Sequence, residues 1–229
     1  MNEFFAIPIF PVFVTLIAFH IGTLVQKKVK SPLCNPILVA VVLILLFQLV
    51  TGMELKVYQA GNSYISWLLT PATVSLAVSM YEQFQILRKN TGVILAGVAA
   101  GAISCLAMVL IVGLLAEFAP EMTISLLPKS VTTAIGVPLS EMSGGITPIT
   151  TAAIVATGVA ASVLGPILCK LFRLTDDIAK GVAYGTAGHV VGTSKAMEDS
   201  ALAGAASSLS LVVAGLLTAV IFPMITMYL

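Results

Sequence analysis

Residues 90–116 read NTGVILAGVAAGAISCLAMVLIVGLLA, without one Asp, Glu, Lys or Arg. A helix crosses the hydrocarbon core in about 20 mostly apolar residues, so this stretch is long enough to span a bilayer. Charge is equally absent from Phe4 to Gln26, Ser31 to Met53, Val57 to Tyr81, Met142 to Cys169 and Ala201 to Leu229. The runs are continuous rather than alternating, which is the pattern of helices and not of a β-barrel. The whole chain is 59% hydrophobic and 9% charged, with a mean hydropathy of +1.08. A soluble chain carries roughly 25% charged residues, and a globule with so few could not cover its surface with polar groups. The expected fold class is an all-α integral membrane protein.

Nearly all the charge sits in short breaks: Lys27-Lys28-Val29-Lys30, Gly52 to Asn62, Arg88-Lys89, Glu117 to Thr123, Lys170 to Lys180 and Lys195 to Asp199. These leave no room for a soluble domain. Glu3, with no basic residue before the first run, lacks the basic n-region of a cleaved signal peptide, so a retained first helix is expected. Lys and Arg favour the cytoplasmic side, which places the Lys27–Lys30 loop inside and the N-terminus outside. Helices over about 36–52, 64–85 and 91–117 then alternate, with Arg88 and Lys89 inside.

Two later segments differ. Leu126 to Glu141 contains Pro128, Lys129, Gly136, Pro138 and several hydroxyls; Gly181 to Lys195 contains Gly185, Gly188, His189, Gly192 and two threonines. Both are short, polar for a membrane and rich in helix breakers. If both crossed fully, Lys170 and Arg173 would lie outside. If the first dips in from outside and the second from the cytoplasm, every basic cluster lies inside. The expectation is therefore about six full transmembrane helices plus two re-entrant segments, near 126–141 and 181–195. Residues 1–62 would be scaffold and 63–229 a transport-type core, within one membrane domain. Segments entering from opposite faces follow the inverted-repeat logic of transporters. A weak echo between Pro71–Val78 and Pro128–Ile135, each followed by Gly-Val-Ala-Ala (at Gly97 and Gly158), hints the same way.

Non-helical backbone at membrane depth must be buried or line a wet cavity, and ionisable residues there are functional candidates. The first segment offers Lys129, Ser130, Thr132 and Thr133, with Gly144 and Gly145 downstream; the second offers His189, Gly192 and Thr193. A lysine, hydroxyl donors and the N–H groups of a broken helix together suit a small carboxylate, and glycines let backbone approach it. His189, Glu141 and Glu198 are candidates for proton or ion coupling. Plainer readings stand beside these. Lys129 after Leu126-Leu127-Pro128 reads equally as a snorkelling interface lysine, His189 as a packing residue, Lys195 and Glu198 as an i,i+3 surface pair, and the Ser and Thr residues as helix-packing hydroxyls.

A net charge of +1 gives no nucleic-acid footprint. Cys34, Cys105 and Cys169 have no metal or redox spacing. No catalytic motif or nucleotide-binding loop occurs. Neither an enzyme, a metal nor a cofactor is expected, and transport would be facilitated or ion-coupled.

Leu127-Pro128-Lys129-Ser130-Val131-Thr132-Thr133, then Ser143-Gly144-Gly145-Ile146, then Gly188-His189-Val190-Val191-Gly192-Thr193, with its spacing to Glu198, resemble the LrgB/CidB family of antiholin-like, YohK-type membrane proteins. The resemblance covers most of the chain; Ala134 stands where the family often has Pro. It implies one of two functions. One is holin/antiholin-like control of murein hydrolase export and autolysis. The other is transport of small carboxylates of the pyruvate, glycolate or glycerate type, by alternating access against the scaffold helices Phe4–Met53. It further implies a separate small LrgA/CidA-type membrane partner and a bacterial cytoplasmic (inner) membrane location; a homo-oligomer is also expected.

Overall fold

The computed structural model describes residues 9–29, 36–68, 71, 74, 78 and 81–229. Nine of the 22 residues of the span expected over 64–85, most of the first half of the internal echo, and Cys34 fall outside them. Among the described residues all regular structure is helical: α1 (Phe10–Val29), α2 (Pro36–Thr51), α3 (Leu55–Trp67), α4 (Phe84–Lys89), α5 (Thr91–Leu115), α6 (Pro120–Leu126), α7 (Thr133–Met142), α8 (Thr147–Leu171), α9 (Asp177–Asp199) and α10 (Ala201–Thr226). Of these, α1, α5, α8 and α10 are long and apolar enough to cross a membrane, and α2 is apolar but shorter. The chain divides into two compact units, 1–75 and 76–229.

In the first unit α1 and α2 run antiparallel. Gly22 lies against the backbone of Pro36, where a Cβ would stand 2.5 Å from the carbonyl oxygen. At the other end the rings of Phe10 and Phe47 meet with centroids 6.1 Å apart. A polar cluster ties in α3: the Thr15 hydroxyl lies 2.6 Å from Tyr58 OH and 2.9 Å from Asn62 Oδ1. Such hydroxyl and amide contacts hold helices together where lipid removes the hydrophobic drive between them.

The second unit is framed by α5, α8 and α10. Local signals set the boundaries. Asp176 caps α9 by accepting from Ala179 N at 2.8 Å, and Ser200 caps α10 by accepting from Ala203 N at 3.0 Å. Pro120 opens α6. Three helices end in a left-handed residue, Glu117 (φ 52), Gly144 (φ 85) and Arg173 (φ 54). In each case the next amide bonds back five residues: Phe118 N to Gly113 O, Gly145 N to Ser140 O and Leu174 N to Cys169 O, at 2.8–2.9 Å. This is the Schellman stop, which satisfies carbonyls that the helix end leaves open. The broken segments are accordingly longer than their breakers suggest, running over 120–142 and 177–199.

Packing changes partner along each frame helix. The N-terminal part of α5 (Ile94, Val98) clusters with Ala205 and Ala206 of α10 and with Ile178 and Val182 of α9. Its C-terminal part (Leu106, Val109) clusters with Ile124, Leu127 and Phe222. Large apolar side chains also face outward: Leu114, Leu115 and Leu216 are 74%, 82% and 63% exposed. An outward apolar surface on this scale fits a hydrocarbon solvent. The chain is a multi-pass helical membrane protein.

Candidate functional site

The helix α9 is two arms, 177–188 and 190–199, joined at His189, whose φ of 42° and ψ of −134° are not helical. The chain doubles back there. Gly192 packs against the carbonyl of Tyr184, and Tyr184 clusters with Ala196, Ala203 and Cys169. Gly181, in the second turn of the first arm, lies against the carbonyl of Ala203, just past the end of the second. Both ends of this hairpin therefore lie together and His189 is its tip.

The segment 120–142 makes the same kind of excursion. The helix α6 leads in, 127–132 turn, and α7 leads back. Ser125 Oγ accepts from Ile146 N at 2.6 Å, beyond the end of α7. A Cβ on Gly145 would meet the Ser140 side chain and, at 3.1 Å, Ile124 Cγ2. The tip is Leu127–Thr132, with Val131 N bonded to Pro128 O at 3.2 Å and Thr132 extended (ψ 151) before α7 begins.

The two hairpins approach from opposite ends of the frame. On α8, Thr150 bonds Ser140 of the first hairpin at 2.6 Å, whereas Gly165 and Cys169 lie against Tyr184 of the second. On α10, Gly181 and Gly185 of the second hairpin sit on Ala203 and Ser207, whereas Gly215 meets Ile135 of the first and Thr226 reaches Ser143 at 3.4 Å. Lys and Arg sort with them. Arg88, Lys89, Lys170, Arg173, Lys180 and Lys195 gather at the end where the second hairpin enters, alongside Asp176, Asp177, Glu198 and Asp199, whereas Glu117, Glu121 and Glu141 lie at the other.

Lys129 is the exception. It belongs to the first tip, and its Nζ lies 3.4 Å from Ser130 Oγ and 4.0 Å from Cys105 Sγ, midway along α5. Ser130 Oγ is itself 3.2 Å from Cys105 Sγ. Among the described residues Lys129 pairs with no carboxylate. Ser130 opens onto a cavity whose other polar walls are Cys105 of α5, Thr186 of the second hairpin and Thr218 of α10. Leu127 and Val131 complete the side given by the first tip. The cavity measures about 10 Å³, room for about one water. Both return arms, α7 and 190–199, begin at the tips, so two positive helix ends point toward the same depth.

Of the residues nominated from sequence, the structure brings Ser130 to the wall of this cavity and leaves Lys129 beside it, its Nζ 3.4 Å from Ser130 Oγ. His189 lies one layer away, buried, with Nε2 donating to Ile154 O at 2.9 Å and its ring seated over Gly158. Thr193 donates to His189 O at 2.9 Å and meets Ser207 Oγ at 2.8 Å. Gly192 serves the fold-back on Tyr184. Thr132 is half-buried and Thr133 exposed, and neither lines the cavity. Gly144 and Gly145 form the stop after α7, at the base of the first hairpin rather than its tip. Glu141 is exposed at that base, and Glu198 pairs with Lys195 at 2.8 Å at the other. Sequence reasoning passed over Cys105, Thr186 and Thr218. Thr186 stands almost one turn before His189, a spacing that puts both on neighbouring faces of one arm.

A family profile described as "LrgB-like family" matches residues 15–228. Curated proteins named "Antiholin-like protein LrgB" from Bacillus mycoides (strain KBAB4), Bacillus cereus (strain B4264) and Bacillus anthracis (strain CDC 684 / NRRL 3495) are each 38% identical to this chain over 218 residues. The match covers 95% of this chain and 95% of each of theirs. No solved structure matches it.

Proposed function

The chain belongs to the LrgB-like family, and from that premise we propose that it is a membrane transporter of small carboxylates. The observation that carries this reading is that two hairpins entering from opposite ends share one cavity, with an acid-free lysine beside its Ser130 wall. A cation in low dielectric is costly unless paired, and a carboxylate supplies the missing charge. Hydroxyls and two converging helix N-termini add donors of the same sense. A single site reached from either end is what alternating access requires.

In this reading the hairpin pairs form an inverted repeat and the complete chain has about six spans. The basic end of the second unit faces the cytoplasm of a bacterial inner membrane, and the N-terminus lies outside. Lys129 holds the carboxylate with Ser130, His189 positions the second tip, and no covalent chemistry is performed. A small LrgA/CidA-type partner and a homo-oligomer complete the assembly.

The name of the Bacillus relatives, antiholin-like protein LrgB, favours a second reading, an antiholin-like regulator of murein hydrolase release. The two separate in proteoliposomes. Transport predicts saturable uptake of labelled pyruvate or glycolate, lowered about 10-fold or more in affinity by Lys129→Ala, with no leak of trapped dye. Dye or protein release without saturable uptake would replace the carrier by the second reading.

A further inference from the structure

Thr186 is about 5% exposed, and its Oγ1 is completely buried with no hydrogen-bond partner. Its orientation is fixed by packing: the methyl faces Gly101 of α5, where a Cβ would stand 2.7 Å away. Thr186 is part of the wall of the cavity that Ser130 and Cys105 line from the other side. Its sister Thr193, seven residues on, is saturated by His189 O and Ser207. Buried hydroxyls are almost always partnered, and one left open is unfavourable unless something else completes it.

We propose that Thr186 is a ligand-contacting, specificity-determining residue. Its hydroxyl donates to the same anionic oxygen that Ser130 and Lys129 hold from the first hairpin. This role rests on the transport reading above and adds to it the second hairpin's own contact. One ligand atom then ties two elements that enter the membrane from opposite ends. The cavity as it stands admits about one oxygen-sized group, so the tips part to admit a whole acid and close again on its head. Cys105, 3.2 Å from Ser130, becomes a reporter of occupancy.

The test uses full-length protein in liposomes with labelled pyruvate as the probe. Thr186→Val keeps the shape and removes the hydroxyl; Thr186→Ser keeps the hydroxyl. With the donor lost, KM for uptake should rise about 10-fold or more in Thr186→Val and stay within about threefold in Thr186→Ser. In a Cys34→Ala, Cys169→Ala background, pyruvate should slow N-ethylmaleimide labelling of Cys105, and Thr186→Val should abolish that protection at the same concentration. Wild-type uptake with an unchanged KM in Thr186→Val overturns the role of Thr186 and leaves transport standing. A fall in turnover at constant KM and intact protection does the same. No uptake and no protection in the wild type overturns both.

Discussion

His189 occupies a backbone conformation, φ 42° and ψ −134°, that glycine adopts freely and other residues adopt at a cost of about 1–3 kcal/mol. Its neighbours Gly188 and Gly192 are glycines with close-packed roles, yet the strained position itself is not. The side chain explains its retention, because Nε2 anchors the tip to Ile154 O. His189→Ala loses the anchor and keeps the strain; His189→Gly loses the anchor and relieves the strain. Thermal unfolding in detergent should therefore find His189→Gly the more stable by about 1–2 kcal/mol. If His189→Ala is the more stable, the tip is not strained. The sequence singled out His189 as a chemical group but carried no sign of its backbone state, because that state depends on a hairpin closing around it. The two threonines of this segment are a sharper case. Both read alike in sequence, and only the rotation of each arm turns Thr186 to α5 and Thr193 to α10.

The second hairpin is held by close approach of backbones rather than by large side chains. Gly181 and Gly185 sit directly on the backbone of α10 at Ala203 and Ser207, so a Cβ on Gly185 would collide with a carbonyl that cannot move alone. Gly185→Ala should lower stability by about 1–3 kcal/mol. Gly92→Ala, at a helix position with nothing within 4 Å, should be neutral or slightly stabilising. Equal effects of the two in the same melting assay would remove this account of the packing. At the hairpin's base the Ser200 side chain, and secondarily Lys180, hold the Asp177 carboxyl below its ordinary value of 3.8, against a desolvation that raises it. A depressed carboxyl stabilises the fold above its unfolded pKa, and that contribution is lost only as pH falls through the lower, folded value. The stability difference between wild type and Asp177→Ala should thus stay flat from about pH 5 to 8 and shrink only in stronger acid. The pairs Lys180–Asp177 and Lys195–Glu198 are screened by solvent and add little. Helix breakers located both hairpins in the sequence, but their bases lay outside the polar stretches, because caps and Schellman stops extend each arm.

At the scale of the molecule, Lys and Arg mark one end of the second unit, where acids accompany them, while the other end carries only the acids Glu117, Glu121 and Glu141, and the hairpins enter from these opposite ends. Cysteines placed at Glu141 and at Glu198 should react with a membrane-impermeant thiol reagent from opposite faces of oriented vesicles. Reaction of both from one face would contradict the arrangement. The helical membrane fold was legible because lipid leaves so little latitude: uncharged runs of this length must be helices. The convergence of Lys129, Ser130, Cys105 and Thr186 was not legible, since those residues come from three elements far apart in the chain.

In the carrier reading, Lys129, with no carboxylate partner among the described residues and reaching Cys105 midway along α5, makes electricity part of the cycle. The bare protein would present one positive charge to the transmembrane field, where a unit charge crossing the full drop is worth about 2.3 kcal/mol per 100 mV. With a monovalent acid aboard, that charge is cancelled. Exchange of acid for acid should then be insensitive to voltage, whereas net uptake, which needs the bare protein to reset, should speed up or slow down with an imposed potassium diffusion potential.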